Sequence, residues 1–296
     1  MNVLITGIDG FTGKYLETFL NEKGYSIFGT VIDEPEKDNY IKCDIRNKDE
    51  VDVAIGKVKP DYVFHLAAIS FVGETDKSMI YDINVLGTQN ILDSLLSLAI
   101  EPKKIIIASS ATVYGNQDDN VLDETMCSKP VNHYGYSKLA MEHLVATYFD
   151  NLNILMTRPF NYTGVGHSNN FIIPKIVSHF VAEKRTIELG NLDVAREFND
   201  IRTVVEMYYK LMISDVKSDI VNLCTGNVVK LKEVITYMEE LAGYKIDVKV
   251  NPAFVRKNEI PVLKGSVEKL FTMIDITNDF KINDTLEIMY KGSKND

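Results

Sequence analysis

The sequence predicts an α/β fold: a doubly wound parallel sheet with helices on both faces, followed by a smaller mixed α/β region. Three observations carry this. Short apolar runs alternate with helix-period runs through the first half of the chain, which is the rhythm of βα units. The apolar runs are continuous, as in Ile105-Ile106-Ile107-Ala108, the pattern of strands covered on both faces. A glycine-rich turn, Gly7-Ile8-Asp9-Gly10-Phe11-Thr12-Gly13, joins the first apolar run to the first helical one.

Taken in order, Asn2 to Thr6 is the first strand. Phe11 to Lys23 is a helix with Tyr15, Leu16, Phe19 and Leu20 on one face, and Gly24 stands where a helix C-terminus ends. Ser26 to Ile32 is the second strand, and Asp61 to Leu66 is a buried strand after Pro60. Asn84 to Leu98 is a helix with Val85, Ile91, Leu92, Leu95 and Leu96 inward. Lys104 to Ser109 is a strand, Ser137 to Phe149 a helix and Asn153 to Thr157 a strand. From about Asn161 the rhythm loosens. Tyr162 to Asn170 is a Gly-rich loop, and Ile172 to Glu183 is a helix with Pro174 in its first turn. Leu231 to Ala242 is an amphipathic helix, and Ile246 to Val250 alternates like a strand.

Composition narrows the classes. The 296 residues are 45% hydrophobic and 25% charged, as in ordinary globular chains, which excludes disorder as the main state. A formal net charge of -10 argues against nucleic acid and against an anionic membrane surface as partners. A small anionic substrate is compatible with it, because such a ligand needs only a few placed cations. No apolar run reaches the roughly 18 residues of a membrane span, and the first residues lack the basic start of a signal peptide. Cys43, Cys127 and Cys224 form no CxxC, so neither disulfide framework nor zinc site is expected, and a cytoplasmic location is. His65, His133, His143, His167 and His179 show no HExxH spacing, so no metal site is expected.

The glycine turn points to a dinucleotide. Glycines between a strand and a helix permit a tight turn and close approach of a pyrophosphate to free backbone N–H groups. Gly7, Gly10 and Gly13, with Phe11 and Thr12 opening the helix, are the candidate residues, spaced GxxGxxG rather than GxGxxG. An acid at the end of the second strand holds the adenosine ribose in such Rossmann-type folds, and Asp33 lies there, with Asp44 further on. Glu34, Glu36 and Asp38 read as a solvated loop. The expected organisation is a dinucleotide-binding domain over 1–165, with a returning segment near 194–225, and a smaller substrate-binding domain over 166–296.

A second constellation carries chemistry. Ser109-Ser110-Ala111-Thr112-Val113-Tyr114-Gly115 follows the strand ending near Ala108, and residues just beyond parallel strands line the ligand crevice. Tyr134 and Lys138 are four apart, so they share a helix face. A lysine ammonium and a cationic nicotinamide favour a phenolate. The tyrosine can then exchange a proton with a substrate oxygen, and a serine hydroxyl can hold the same oxygen.

These motifs together resemble the extended short-chain dehydrogenase/reductase family, in its nucleotide-sugar epimerase, dehydratase and reductase branch. The resemblance runs from Met1 to about Arg256. It rests on the glycine turn, Asp44-Ile45-Arg46-Asn47, His65-Leu66-Ala67-Ala68, Asn84-x-x-Gly87, the Ser109–Gly115 run, Tyr134-x-x-x-Lys138 and Arg158-Pro159-Phe160-Asn161. It implies Ser110, Tyr134 and Lys138 as catalytic residues, with Tyr134 and Lys138 also touching the cofactor and Lys138 holding the nicotinamide ribose. It implies Asp44 and Ile45 at the adenine, Leu66, Ala67 and Ala68 along the cofactor, and Asn84 supporting the lysine. Thr112, Asn161, Arg196 and Arg256 are implied at the nucleotide sugar, Asn161 and Arg196 at its diphosphate, and the resemblance also implies a homodimer.

Within that branch, 4,6-dehydratases carry an acid two residues after the catalytic Ser/Thr, and this chain has Thr112 there. Dehydration is therefore disfavoured. Arg158–Gly166, Gly190-Asn191-Leu192, Arg196–Arg202, Asn222–Gly226 and Asn251–Arg256 with Ile260-Pro261 resemble GDP-4-keto-6-deoxy-D-mannose reductases. The expected activity is reduction of a nucleotide-linked 4-keto-6-deoxy sugar by NAD(P)H. A 4-epimerase with tightly held NAD uses the same residues, and a sensor that kept the dinucleotide site is a third reading. Those reductases tend to carry Arg after the second strand, whereas Val31-Ile32-Asp33 has no cation, so NADH is expected to serve at least as well as NADPH.

Overall fold

The computed structural model describes residues 1–70, 76–254, 262–277 and 280–293. The first half runs β1 (Asn2–Thr6), α1 (Phe11–Glu22), β2 (Ser26–Val31), β3 (Tyr40–Lys42), α2 (Lys48–Val58), β4 (Tyr62–His65), α3 (Lys77–Tyr81), α4 (Thr88–Ser97), β5 (Lys104–Ala108), β6 (Val121–Leu122), α5 (His133–Ala146) and β7 (Ile154–Pro159). Then come β8 (Tyr162–Thr163), α6 (Ile172–Val181), β9 (Thr186–Leu189), β10 (Ala195–Glu197), β11 (Asn199–Asp200), α7 (Ile201–Ile213) and β12 (Asp219–Leu223). The chain continues through β13 (Val228–Lys230), α8 (Leu231–Ala242), β14 (Asp247–Val250), β15 (Val262–Gly265), α9 (Glu268–Met273) and α10 (Ile282–Gly292).

The central sheet is parallel throughout, in the order β12-β7-β5-β4-β1-β2-β3. The strand order reverses at β1 and β4, which opens a crevice beyond their C-terminal ends. Alternate residues of each strand face opposite helix layers. Val3, Ile5 and Ile106 meet Leu16 and Leu20 of α1 and Val204, Tyr208 and Leu211 of α7. Leu4, Ile105 and Ile107 meet Ile55 of α2, Ile91 and Leu95 of α4 and Met141 and Val145 of α5.

A second core joins α6, α8 and α10 through Ile176, Phe180, Val234, Met238 and Leu286. Between the two cores the chain returns to the sheet. α7 covers it, β12 pairs beside β7, and Leu270 of α9 adds to the same core. Tyr114, Phe160 and Cys224 pack together where the two halves meet.

Several elements differ from the sequence expectation. The helix expected over 84–98 is preceded by α3 and a π-helical turn at Asp82–Gly87. Ile91, Leu92 and Leu95 face inward as expected, whereas Leu96 is 41% exposed. α5 starts four residues before Ser137, because the Asn132 side chain accepts from Gly135 N at 2.8 Å and caps it there. Tyr162 and Thr163, expected in a loop, pair with Asn199 and Asp200. β2 stops at Val31, leaving Ile32 outside the strand.

Candidate active site

The glycine turn shapes one side of the crevice. Gly7 has φ +67°, and its N–H donates to Thr30 O at 3.0 Å. A Cβ on Gly7 would lie 3.0 Å from Ala67 Cα, and one on Gly13 would lie 2.5 Å from Ile8 O. Only glycine lets the turn after β1 come this close to the segment after β4 on one side and to α1 on the other. α1 has no side-chain cap at Gly10 and no acid in its first turn, so its free N–H groups and dipole are left for an anion. Phe11 and Thr12 open this helix, half-buried. The cradle and its donor chemistry fit a dinucleotide pyrophosphate. Leu66, Ala67 and Ala68 run across the turn, half-buried, with Ala67 N donating to Thr6 Oγ1 at 3.1 Å.

At the adenosine end Asp33 is exposed. The Arg46 guanidinium holds the Asp44 carboxyl below its ordinary range, with Nε at 3.0 Å and Nη2 at 2.5 Å. The Ile45 side chain is buried beneath the π-helical turn, where a Cβ on Gly87 would lie 2.6 Å from it. Its backbone is therefore what it can present to a ligand. The nearby cations are engaged with carboxylates. Lys37 reaches Glu17 at 2.7 Å, and Lys42 pairs with Glu34.

Across the crevice the Asn132 cap places Tyr134 in the first turn of α5 and Lys138 one turn on. Ser110 Oγ accepts from Thr112 Oγ1 at 2.9 Å and from Thr112 N at 3.2 Å, and it lies beside the Tyr134 phenol. Ser110, Thr112 and Tyr134 are thus brought together as one cluster of hydroxyls. Burial pushes the Tyr134 phenol up to about 12, and the neighbouring Ser110 hydroxyl works against that rise. Lys138 is buried, its Nζ donates to Ala108 O at 2.7 Å, and burial brings it down to about 8, with Glu142 opposing. Asn84 accepts from Ile69 N at 2.9 Å and donates to Ser137 Oγ at 3.0 Å. It ties the segment after β4 to α5 beside the lysine rather than bonding the ammonium. His65 is buried between Thr6 (2.7 Å) and Thr88 (2.8 Å), and burial pushes it down to about 3, which keeps it neutral.

Two buried carboxylates escaped the sequence reading. Glu142 accepts from Ser109 Oγ at 2.6 Å and from Arg158 Nε and Nη2 at 2.9 and 2.7 Å. Its signal was the i+4, i+8 spacing from Tyr134 through Lys138. Glu197 accepts from the N–H groups of Gly265, Thr225 and Gly226 at 2.5, 3.0 and 3.2 Å and so joins three segments of the second half. Burial raises this carboxyl, and those donors counter the rise. No local sequence signal marks it.

The residues expected at the sugar nucleotide are less gathered. Asn161 is exposed, and its carbonyl accepts from Asn199 N at 2.8 Å. Arg196 lies half-buried in β10, its Nη1 donating to Ala195 O at 2.8 Å. Arg256 lies outside the described residues. Among the described residues no group of three or more His, Cys, Asp or Glu could hold a metal ion, and no helix is long and apolar enough to cross a membrane.

A family model described as GDP-mannose 4,6 dehydratase matches residues 4–289. A GDP-6-deoxy-D-talose 4-dehydrogenase of Aggregatibacter actinomycetemcomitans is 36% identical over 296 residues, 99% of this chain and 98% of that one. A GDP-6-deoxy-D-mannose reductase of Pseudomonas aeruginosa is 29% identical over 282 residues, 90% and 89% of the two chains. The fold matches a crystal structure from Burkholderia cenocepacia J2315, whose name suggests an epimerase, with TM-score 0.94 and 37% identity over 100% of this chain and 98% of that one. It also matches RMD from Pseudomonas aeruginosa complexed with NADPH, with TM-score 0.88 and 25% identity over 99% and 97%. With the cradle and the Ser110–Tyr134–Lys138 arrangement in place, these likenesses show that the chain belongs to the GDP-mannose 4,6-dehydratase family, the NAD(P)-using nucleotide-sugar oxidoreductases of the extended short-chain dehydrogenase/reductases.

Proposed function

We propose that the protein reduces the C4 ketone of a nucleotide-linked 4-keto-6-deoxy sugar to an alcohol. The observation that carries this is the hydroxyl cluster in which Thr112 donates to Ser110 and Ser110 lies beside the Tyr134 phenol. It offers a proton donor and an oxygen holder, and it puts a threonine where dehydration requires an acid. With its phenol pushed up to about 12, Tyr134 carries its proton at neutral pH and can release it to the C4 oxygen as charge develops there. Ser110 holds that oxygen. The bound NAD(P)H supplies the hydride, so one hydride and the Tyr134 proton convert ketone to alcohol. Gly7, Gly10 and Gly13, with Phe11 and Thr12, would hold its pyrophosphate and Asp33 its adenosine ribose. Asp44, the Ile45 backbone and Leu66 to Ala68 would line it, and Lys138 would take the nicotinamide ribose, with Asn84 bracing the wall beside it. Thr112, Asn161, Arg196 and Arg256 would face the sugar nucleotide.

The names of the two curated relatives both describe redox chemistry on a GDP-6-deoxyhexose, which supports GDP as the base. A second reading, 4-epimerisation, draws on the name of the Burkholderia cenocepacia relative and uses the same residues. A panel of GDP-, dTDP-, CDP- and UDP-linked 4-keto-6-deoxy sugars and their 4-hydroxy counterparts with NADH or NADPH, followed at the nicotinamide absorbance and by NMR of the sugar, separates them. Stoichiometric oxidation with the GDP sugar is the expected result. C4 epimerisation of GDP, dTDP, CDP or UDP sugars with no net nicotinamide change would replace the reductase reading by the epimerase.

A further inference from the structure

Four aromatic rings cluster between the glycine turn and the loop after β8. Phe11, the first residue of α1, stacks on His167 with centroids 4.3 Å apart and planes 11° apart. Phe171 stacks on His167 as well, at 4.2 Å and 27°. Two rings at those distances must take opposite faces, so the imidazole is sandwiched. Tyr162 lies parallel to Phe11, 6.1 Å away.

Hydrogen bonds tie the same segments together. Thr12 Oγ1 and Tyr162 OH are 2.8 Å apart, and Tyr15 OH donates to Val165 O at 2.9 Å. A Cβ on Gly164 would lie 2.5 Å from the Ile201 side chain and 3.6 Å from the Phe11 ring, so the loop backbone packs directly beside both. Phe171 sits at the N-cap of α6, which opens the second core, and Asn161 immediately precedes Tyr162. Burial pushes His167 down to about 4, so at pH 7 it is a flat, uncharged ring. Parallel aromatic pairs are stiff, and each adds attraction beyond its buried area.

We propose that His167 is a positioning residue that couples the two ligand sites. Seated between Phe11 and Phe171, it makes the position of loop 162–171 depend on the ordering of the glycine turn, so dinucleotide and nucleotide sugar each tighten the binding of the other. Reciprocity is required: each ligand must change the affinity of the other by the same factor. This rests on the nucleotide-sugar reading above.

NADH affinity, read by nicotinamide fluorescence, is measured with and without saturating GDP in the wild type, His167→Ala and His167→Phe. In the wild type GDP is expected to tighten NADH about tenfold, the scale of site-to-site coupling, and NADH to tighten GDP equally. His167→Ala should bring the factor near one, whereas His167→Phe, which keeps the flat ring, should retain it. A purely structural role would lower the melting temperature or both affinities without changing their ratio. A factor of one in the wild type, an unchanged factor in His167→Ala, or its loss in a folded His167→Phe overturns the coupling. Failure of GDP, UDP, CDP and dTDP all to bind counts separately against the nucleotide-sugar reading. In that case there is no second ligand to couple and the coupling falls with that reading, whereas a bound nucleotide with a factor of one overturns the coupling alone.

Discussion

Tyr134 and Lys138 share a face of α5, yet their polar ends meet different partners: the Ser110 hydroxyl lies beside the phenol, and the carbonyl of Ala108 takes the lysine ammonium at 2.7 Å. Burial keeps the proton on the phenol against the pull of Ser110, and the lysine pays for a buried charge that Glu142 offsets only in part.

That burial has a pH signature. Lys138 falls from its ordinary 10.5 to about 8 on folding. Its folded value lies below its unfolded one, so the cost to stability is complete below pH 8 and fades as pH rises towards the unfolded value. The wild type should gain about 2 kcal/mol relative to Lys138→Met between pH 7 and pH 10. Urea unfolding of both proteins at the two pH values checks this; a constant difference would show that the ammonium is not desolvated.

Tyr134→Phe keeps the ring and removes the proton. Dinucleotide and nucleotide affinity should persist while turnover falls by roughly 10²-fold or more, the usual share of a positioned acid. Near-normal turnover would remove Tyr134 from its role.

Thr112 donates to Ser110 instead of supplying a carboxylate. Incubation with GDP-mannose or dTDP-glucose should then yield no 4-keto-6-deoxy product. Its appearance by NMR would reverse this reading of the loop after β5, although the family is described by a dehydratase.

Cofactor choice depends on Asp33. It is exposed at the end of β2, and Lys37, Lys42 and Arg46 are each engaged with a carboxylate: Glu17, Glu34 and Asp44. Asp33 at 4 Å from a 2′-phosphate would repel it by a few kcal/mol, before screening, at an intermediate dielectric. NADH should therefore be used at least as well as NADPH, and Asp33→Arg should move the ratio of kcat/KM values towards NADPH. A tenfold wild-type preference for NADPH would contradict this; RMD from Pseudomonas aeruginosa, a structural relative, is complexed with NADPH.

The sequence by itself determined what depends on near neighbours. β1 and α8 occupy the expected residues, because an unbroken apolar run and a 3.6-residue period declare themselves locally. The glycine turn was legible because a positive φ and a close approach leave few alternatives to glycine, and the shared face of Tyr134 and Lys138 follows from helix geometry alone. Only the tertiary structure decided the rest. Asn132 set the start of α5, a π-helical turn replaced the first turn of the helix expected over 84–98, and Lys138 lost its ordinary affinity for a proton once buried against β5. The Glu142–Arg158 pair, the Glu197 cluster and the seat of His167 join segments distant in sequence. Periodicity carries no information about such pairings, because burial and charge compensation depend on which remote segments pack together.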